Sequence, residues 1–188
     1  MKKRFDTKKL TFMALMLAIT LILDLTPLGA IPLGPVSATI IHIPTIITGI
    51  ILGPIAGLIM GTLLGLVSLL HALTRPATPL DPLFINPLVS VLPRMFIGLV
   101  SYYVYKLFAR LKTSISSFIG GAAGSLTNTG LVFLMLYLVY AKEVVDAVGA
   151  PFKVIIISVF TSNAIAEAAV SAIVTAVIVT VYKRYQKI

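Results

Sequence analysis

The sequence predicts an all-α integral membrane protein, a bundle of six transmembrane helices with both termini on the cytoplasmic side. Three observations predict it. Of the 188 residues, 59% are hydrophobic and 11% charged, and the mean hydropathy is +1.07. A water-soluble domain of this length needs no such excess of apolar surface. Apolar runs of span length alternate with segments broken by proline and glycine. The basic residues also gather at every second junction. With both termini inside, Lys2, Lys3, Arg4, Lys8, Lys9, Lys106, Arg110, Lys112, Lys183, Arg184 and Lys187 are cytoplasmic, which is 11 of the 15 Lys and Arg residues. The net charge of +9 therefore reads as topology, with no call for nucleic acid as a partner. Residues 1–188 form one domain.

Residues 10–25 are the first span, running outward, and Asp24 closes it at the outer interface. A basic start precedes this run, but no Ala-x-Ala-like site follows, so a cleaved signal peptide is not expected. Ala14 and Ala18 lie four apart on one helical face, where small residues let another helix approach closely. Residues 26–35, TPLGAIPLGP, hold three prolines and two glycines. The segment cannot be helix, and it is too apolar for a solvated loop, so it reads as a lid-like outer loop. Residues 36–52 are the second span, with Ser37, Thr39, His42, Thr45 and Thr48 along it, and Gly53-Pro54 is a tight inner turn. Residues 55–70 are the third span, with Gly57, Gly61 and Gly65 at a spacing that predicts close helix packing and no ligand role.

Residues 71–87 form a second, proline-rich outer loop with Arg75, Asp81 and Asn86, and residues 86–108 are the fourth span. Residues 117–140 are the fifth span, opening with Gly120, Gly121 and Gly124. Residues 141–151 are a third outer loop, and residues 152–182 are a long sixth span with Ser158, Thr161, Ser162, Asn163 and Glu167.

Strongly polar groups at membrane depth mark the candidate site: Arg94 in the fourth span, Asn128 in the fifth, Asn163 and Glu167 in the sixth. At 1.5 Å per residue, the depths of Arg94, Asn128 and Asn163 from the outer ends agree within about one helical turn. Asn163 and Glu167 are four apart and share a face. An arginine inside a span costs roughly 2.5–3.5 kcal/mol on insertion scales and usually faces a bundle interior or an aqueous cavity. The plainer readings are that Arg94 snorkels to headgroups or pairs with Glu167, that Asn128 bonds a neighbouring helix, and that His42 is a satisfied core histidine. Tyr102, Tyr103 and Tyr105 read as interfacial belt residues.

Enzyme chemistry has little support. No cysteine is present, so thiol nucleophiles, disulfides and thiolate metal sites are excluded. There is no G-x-x-x-x-G-K loop for ATP and no H-E-x-x-H, and His42 and His71 stand apart, so no metal site is expected.

The chain resembles the substrate-binding S components of energy-coupling factor (ECF) vitamin transporters across essentially its whole length. The marks are Ala14 and Ala18, the stretch IPLGPVSATIIHIPTIITGIILGPIAGLIMG from Ile31, LPRMFIGL from Leu92, GSLTNTG from Gly124 and NAIAEA from Asn163. The resemblance implies a subunit of the bacterial plasma membrane that captures a water-soluble vitamin from outside, without a cofactor of its own. It would dock on a transmembrane scaffold subunit carrying two cytoplasmic ATPases, where ATP is used. Ala14 and Ala18 would form the docking surface, and the first and second outer loops would gate the site, here with Pro32, Gly34, Arg75 and Asn86. SATIIHIP and the LPR and TNT patterns are most like pantothenate-type members. A pantothenate carboxylate would suit Arg94, with Asn128, Asn163, Glu167 and His42 as further contacts. Riboflavin, folate and hydroxymethylpyrimidine stay open as substrates. A self-sufficient small permease would need an internal repeat or an oligomeric pore, and no convincing repeat is seen. An intramembrane enzyme lacks the constellations above.

Overall fold

The computed structural model describes residues 7–32, 37–76, 80–149, 151, 154, 157 and 163–185. Helix α1, Thr7–Leu25, covers the first expected span. It buries only Met16 and Thr20 among its own residues, one turn apart on a single stripe. At its outer end Asp24 bonds His71 Nδ1 at 2.9 Å and Arg75 Nη2 at 2.8 Å, which ties α1 to the end of the third helix.

The second span departs from expectation. A two-stranded antiparallel ribbon replaces its first half and part of the loop before it. Strand β1, Ala30–Pro32, pairs with β2, Ser37–Thr39, in the register Ala30↔Thr39. Helix α2 is only Ile43–Leu52, with Pro44 in its first turn. Proline is tolerated at a helix start and breaks a helix interior, so Pro44 sets where α2 begins. Ten residues rise about 15 Å, half the hydrocarbon thickness of a bilayer. The fold is thus helical with one small ribbon, and no longer purely α.

Gly53, at φ 102°, makes the turn into α3, Pro54–Thr74. This backbone region favours glycine, and Pro54 at once starts the next helix. The second outer loop folds into a 3₁₀ turn, Asp81–Ile85. It leads into α4, Pro87–Ser90, and α5, Leu92–Leu107, which together make one apolar span.

Helix α6, Thr113–Val148, runs straight through the expected third outer loop. It kinks at Tyr140 (φ −136°, ψ 30°) and ends at Gly149, which is left-handed at φ 71°. Thirty-six residues rise about 54 Å, so the helix outreaches the bilayer. Its outer end is held in an apolar cluster of Leu80, Val89, Val132, Phe133, Leu136 and Val144. Helix α7, Ile165–Tyr185, is the inner part of the expected sixth span. Ser158, Thr161 and Ser162 lie outside the described residues.

Among the described residues, four helical segments are long and apolar enough to cross a membrane: Pro54–Thr74, Pro87–Leu107, Thr113–Asp146 and Ile165–Tyr185.

The glycines of α3 pack as the sequence predicts, with backbone against backbone. A Cβ at Gly57 would stand 2.8 Å from the Gly98 carbonyl carbon, and one at Gly61 2.8 Å from that of Arg94. One at Gly65 would collide with the Cα of Val91. Gly49 of α2 meets Gly98 as well, so three helices cross at one point. Gly121 of α6 seats on Ala172 and Ser171 of α7, with a Cβ there 2.9 Å from both. We expect Gly98→Val to destabilise the detergent-solubilised protein by about 1–3 kcal/mol or more, because two backbones must separate. Gly130→Ala should be neutral or stabilising by up to about 1 kcal/mol, since its Cβ meets nothing within 4 Å. Thermal midpoints of the two variants check both statements.

Candidate binding site

Helix α7 presents a buried polar row at every fourth position: Asn163 (3% exposed), Glu167 (7%), Ser171 and Thr175. Spacing of four keeps these side chains on one face, and Asn163 enters the helix through a π-type turn. Three other elements bring partners to this row. From α6, Thr129 Oγ1 donates to Glu167 Oε2 at 3.3 Å. From β2, the Thr39 N–H donates to Glu167 Oε1 at 2.5 Å. At the start of α2, His42 Nε2 bonds Ser171 Oγ at 2.9 Å.

Thr39 shows why the ribbon is seated there. Strand N–H groups alternate in direction. The Ile40 N–H turns back to the Gly29 carbonyl at 3.0 Å, and the Thr39 N–H turns to Glu167. One carboxylate thus joins the ribbon, α6 and α7.

Arg94 sits in the first turn of α5 and is partly accessible. Its Nη1 donates to the Val89 carbonyl at 2.6 Å, and its Cζ lies over the Phe84 ring, 4.9 Å from the centroid. No ion pair joins Arg94 to Glu167, or to any other acid among the described residues. The pairing weighed from the sequence is therefore not formed.

Several buried polar atoms have no partner among the described residues: His42 Nδ1, Asn128 Oδ1, Asn163 Oδ1 and, deeper, Thr45 Oγ1, Ser125 Oγ and Thr175 Oγ1. Leaving such a group unsatisfied typically costs about 1–3 kcal/mol. No group of three metal-ligating side chains occurs among the described residues.

The residues expected in the gates have structural contacts. Arg75 caps α3 and holds Asp24. Asn86 caps α4, its Oδ1 accepting from the Leu88 N–H at 3.0 Å and its Nδ2 donating to Tyr140 Oη at 3.2 Å, beside the α6 kink. Pro32 ends β1 opposite Ser37, and Gly34 lies outside the described residues. Ala14 and Ala18 are exposed on α1, away from the Met16 and Thr20 stripe.

Four participants were missed in the sequence: Thr39, Phe84, Thr129 and Ser171. The spacing of four from Asn163 and Glu167 leads to Ser171. Thr39 and Thr129 lie in stretches the sequence marks, SATIIHIP and GSLTNTG, but their meeting with Glu167 depends on strand pairing and helix packing, and Phe84 is brought in by loop closure.

Residues 8–179 match the family described as "ECF transporter, substrate-specific component". The chain belongs to this family. Among curated relatives, the pantothenic acid transporter PanT of Lactococcus lactis subsp. cremoris is 27% identical over 194 residues, covering 94% of each chain. The pantothenate transporter PanT of Leuconostoc mesenteroides subsp. mesenteroides is 31% identical over 138 residues, covering 68% of each. As an ECF substrate-specific component, the protein is a substrate-binding part of a membrane transporter, and the buried polar face between α6, α7 and the ribbon is its candidate site.

The Glu167 geometry makes a prediction. Glu167→Ala should release the Thr39 N–H and raise amide exchange across residues 37–41 by about tenfold or more, the loss of one hydrogen bond to a charged group. Glu167→Gln keeps an acceptor for Thr39 and should stay near wild type. Hydrogen–deuterium exchange by mass spectrometry reads the difference.

Proposed function

We propose that this protein is the high-affinity substrate-capture subunit of an ECF-type importer, and that its substrate is pantothenate. One observation carries the anion specificity. Arg94 is a guanidinium at membrane depth that meets a backbone carbonyl and an aromatic ring, and no carboxylate among the described residues. Glu167, weighed from the sequence as an alternative partner for Arg94, accepts from Thr39 and Thr129. The guanidinium is thus left without a carboxylate partner among the described residues, which suits a carboxylate ligand, and both named relatives are pantothenate transporters. Asn128 Oδ1 and Asn163 Oδ1 are acceptors for the hydroxyls and amide N–H of such a ligand, and His42, bonded to Ser171 of the α7 row, leaves Nδ1 without a partner among the described residues.

In this reading the chain spans the bacterial plasma membrane six times with both termini cytoplasmic, which the distribution of basic residues supports. It catalyses no reaction. It works with a transmembrane scaffold subunit and two ATPases, which supply the energy. The exposed small residues Ala14 and Ala18, flanked by exposed Leu15, Ile19 and Ile22, make α1 the face that meets the scaffold.

Two experiments test the reading. Purified protein titrated with water-soluble vitamins should bind pantothenate in preference to riboflavin, folate and hydroxymethylpyrimidine. Arg94→Ala and Arg94→Gln should weaken pantothenate binding by about 30-fold or more, the usual loss when a buried charged partner is removed. Arg94→Lys should recover little, because an ammonium lacks the two-pronged geometry. Wild-type affinity in Arg94→Gln would remove the residue from the site. Separately, Ala18→Trp should lose co-purification with the scaffold subunit while keeping vitamin binding, since Ala18 lies on the exposed side of α1, away from its Met16 and Thr20 stripe. Wild-type recovery of the complex would count against the docking face.

A further inference from the structure

Arg94 is held by a proline. In a regular helix the carbonyl of Val89 accepts from the N–H four residues on. That residue is Pro93, which has no N–H. The carbonyl cannot turn to water, because Val89 is 0% exposed, and a buried carbonyl needs a donor. Arg94 Nη1 is that donor, at 2.6 Å. The helix is interrupted at Val91, between α4 and α5, with the Val91 N–H on the Pro87 carbonyl and the Met95 N–H on that of Val91. The Val89 carbonyl lies in this break, and the side chain of Arg94 fills it.

Two further contacts fix the same group. Phe84 of the 3₁₀ turn lies under Cζ at 4.9 Å, and Phe84 is itself packed into the outer apolar cluster. On the other side of the helix, Gly61 of α3 bears directly on the Arg94 carbonyl, which sets the height of the residue in the bundle. A guanidinium has five N–H donors in one plane. Val89 takes one, and the ring occupies one side of the plane. A carboxylate is gripped by two parallel N–H groups in that plane.

We propose that Pro93 and Phe84 are positioning residues that pre-orient Arg94 and so set the preference of the site for a carboxylate over a neutral analogue. The proposal rests on the reading of Arg94 as the anion-binding residue. A free arginine side chain loses its rotamer freedom when the ligand arrives, whereas this one has lost it on folding. Pro93 acts through the carbonyl that it leaves open, and Phe84 through its π face.

The test uses the full-length protein and two ligands, pantothenate and the analogue in which a hydroxymethyl group replaces the carboxylate. Their Kd values are measured by calorimetry in wild type, Pro93→Ala, Phe84→Leu and Phe84→Tyr. Pro93→Ala returns an N–H to the Val89 carbonyl and releases Arg94. Its thermal midpoint should be unchanged or raised, while pantothenate binding weakens about tenfold and analogue binding changes less than about twofold. Phe84→Leu should lower the carboxylate preference by about three- to tenfold, and Phe84→Tyr should keep it. A merely structural role would move both ligands by one factor, and that outcome, or no change in the ratio, overturns the inference. If Pro93→Ala is not monodisperse, the two Phe84 variants decide alone. A wild-type protein without carboxylate preference would overturn the anion reading and this inference together. A wild-type preference that persists unchanged in the variants would overturn this inference only.

Discussion

Backbone contact between α3 and α5 is the constraint on which the rest of the structure depends. Gly57, Gly61 and Gly65 form one face of α3, and against it stand Gly98, Arg94 and Val91 of α5. The absence of side chains at the contact removes the usual play of rotamers. The two helices can slide past one another only by whole turns, so the height of Arg94 is set by α3 and not by its own environment. Gly49 extends the contact to α2, which places His42 near the same level. In a bilayer, where lipid tails compete equally for apolar surface, such close approach supplies dispersion that larger side chains would not.

The site divides its two charges by a simple rule. Glu167 is satisfied by donors from two other elements, β2 and α6, so it organises the protein. Arg94 is satisfied in part, by one carbonyl and one ring, so it remains able to act on something else. An acid and a base at similar depth would cancel if they met. The Thr39 N–H and Thr129 hydroxyl keep Glu167 engaged where it is, and Val89 and Phe84 hold Arg94 where it is. Neutral hydrogen bonds and a π face thus preserve a charge separation that a direct ion pair would abolish.

The outer end also has its own architecture. Asp24 gathers His71 and Arg75 and joins α1 to α3, with the Asp24 side chain only 8% exposed. Asn86 reaches the Tyr140 hydroxyl, so the cap of α4 meets the kink of α6. Arg75 and Asn86, expected from the sequence in the gates, are therefore ties between helices. Helix α1 differs from the others. Its buried stripe is narrow, with Met16 packed against Ile43, Ile47 and Met60, and its exposed side is apolar.

The sequence by itself determined the membrane class, the glycine-packed third helix, the exposed small-residue pair on α1 and the polar row on α7. Each is a property of composition or of period within one helix, and such periods survive folding unchanged. Only the tertiary structure decided the rest. The second span shortened because strand pairing competed successfully for residues 37–39, and pairing depends on a partner strand that no local period reveals. Helix α6 continued past Tyr140 because an apolar cluster from the second outer loop supports its end. The sequence leaves Glu167 open as a counter-charge of Arg94 because both lie at membrane depth. Depth fixes only one coordinate, and the direction of each side chain around its helix axis, set by Thr39 on one side and by Val89 and Phe84 on the other, keeps the two charges apart.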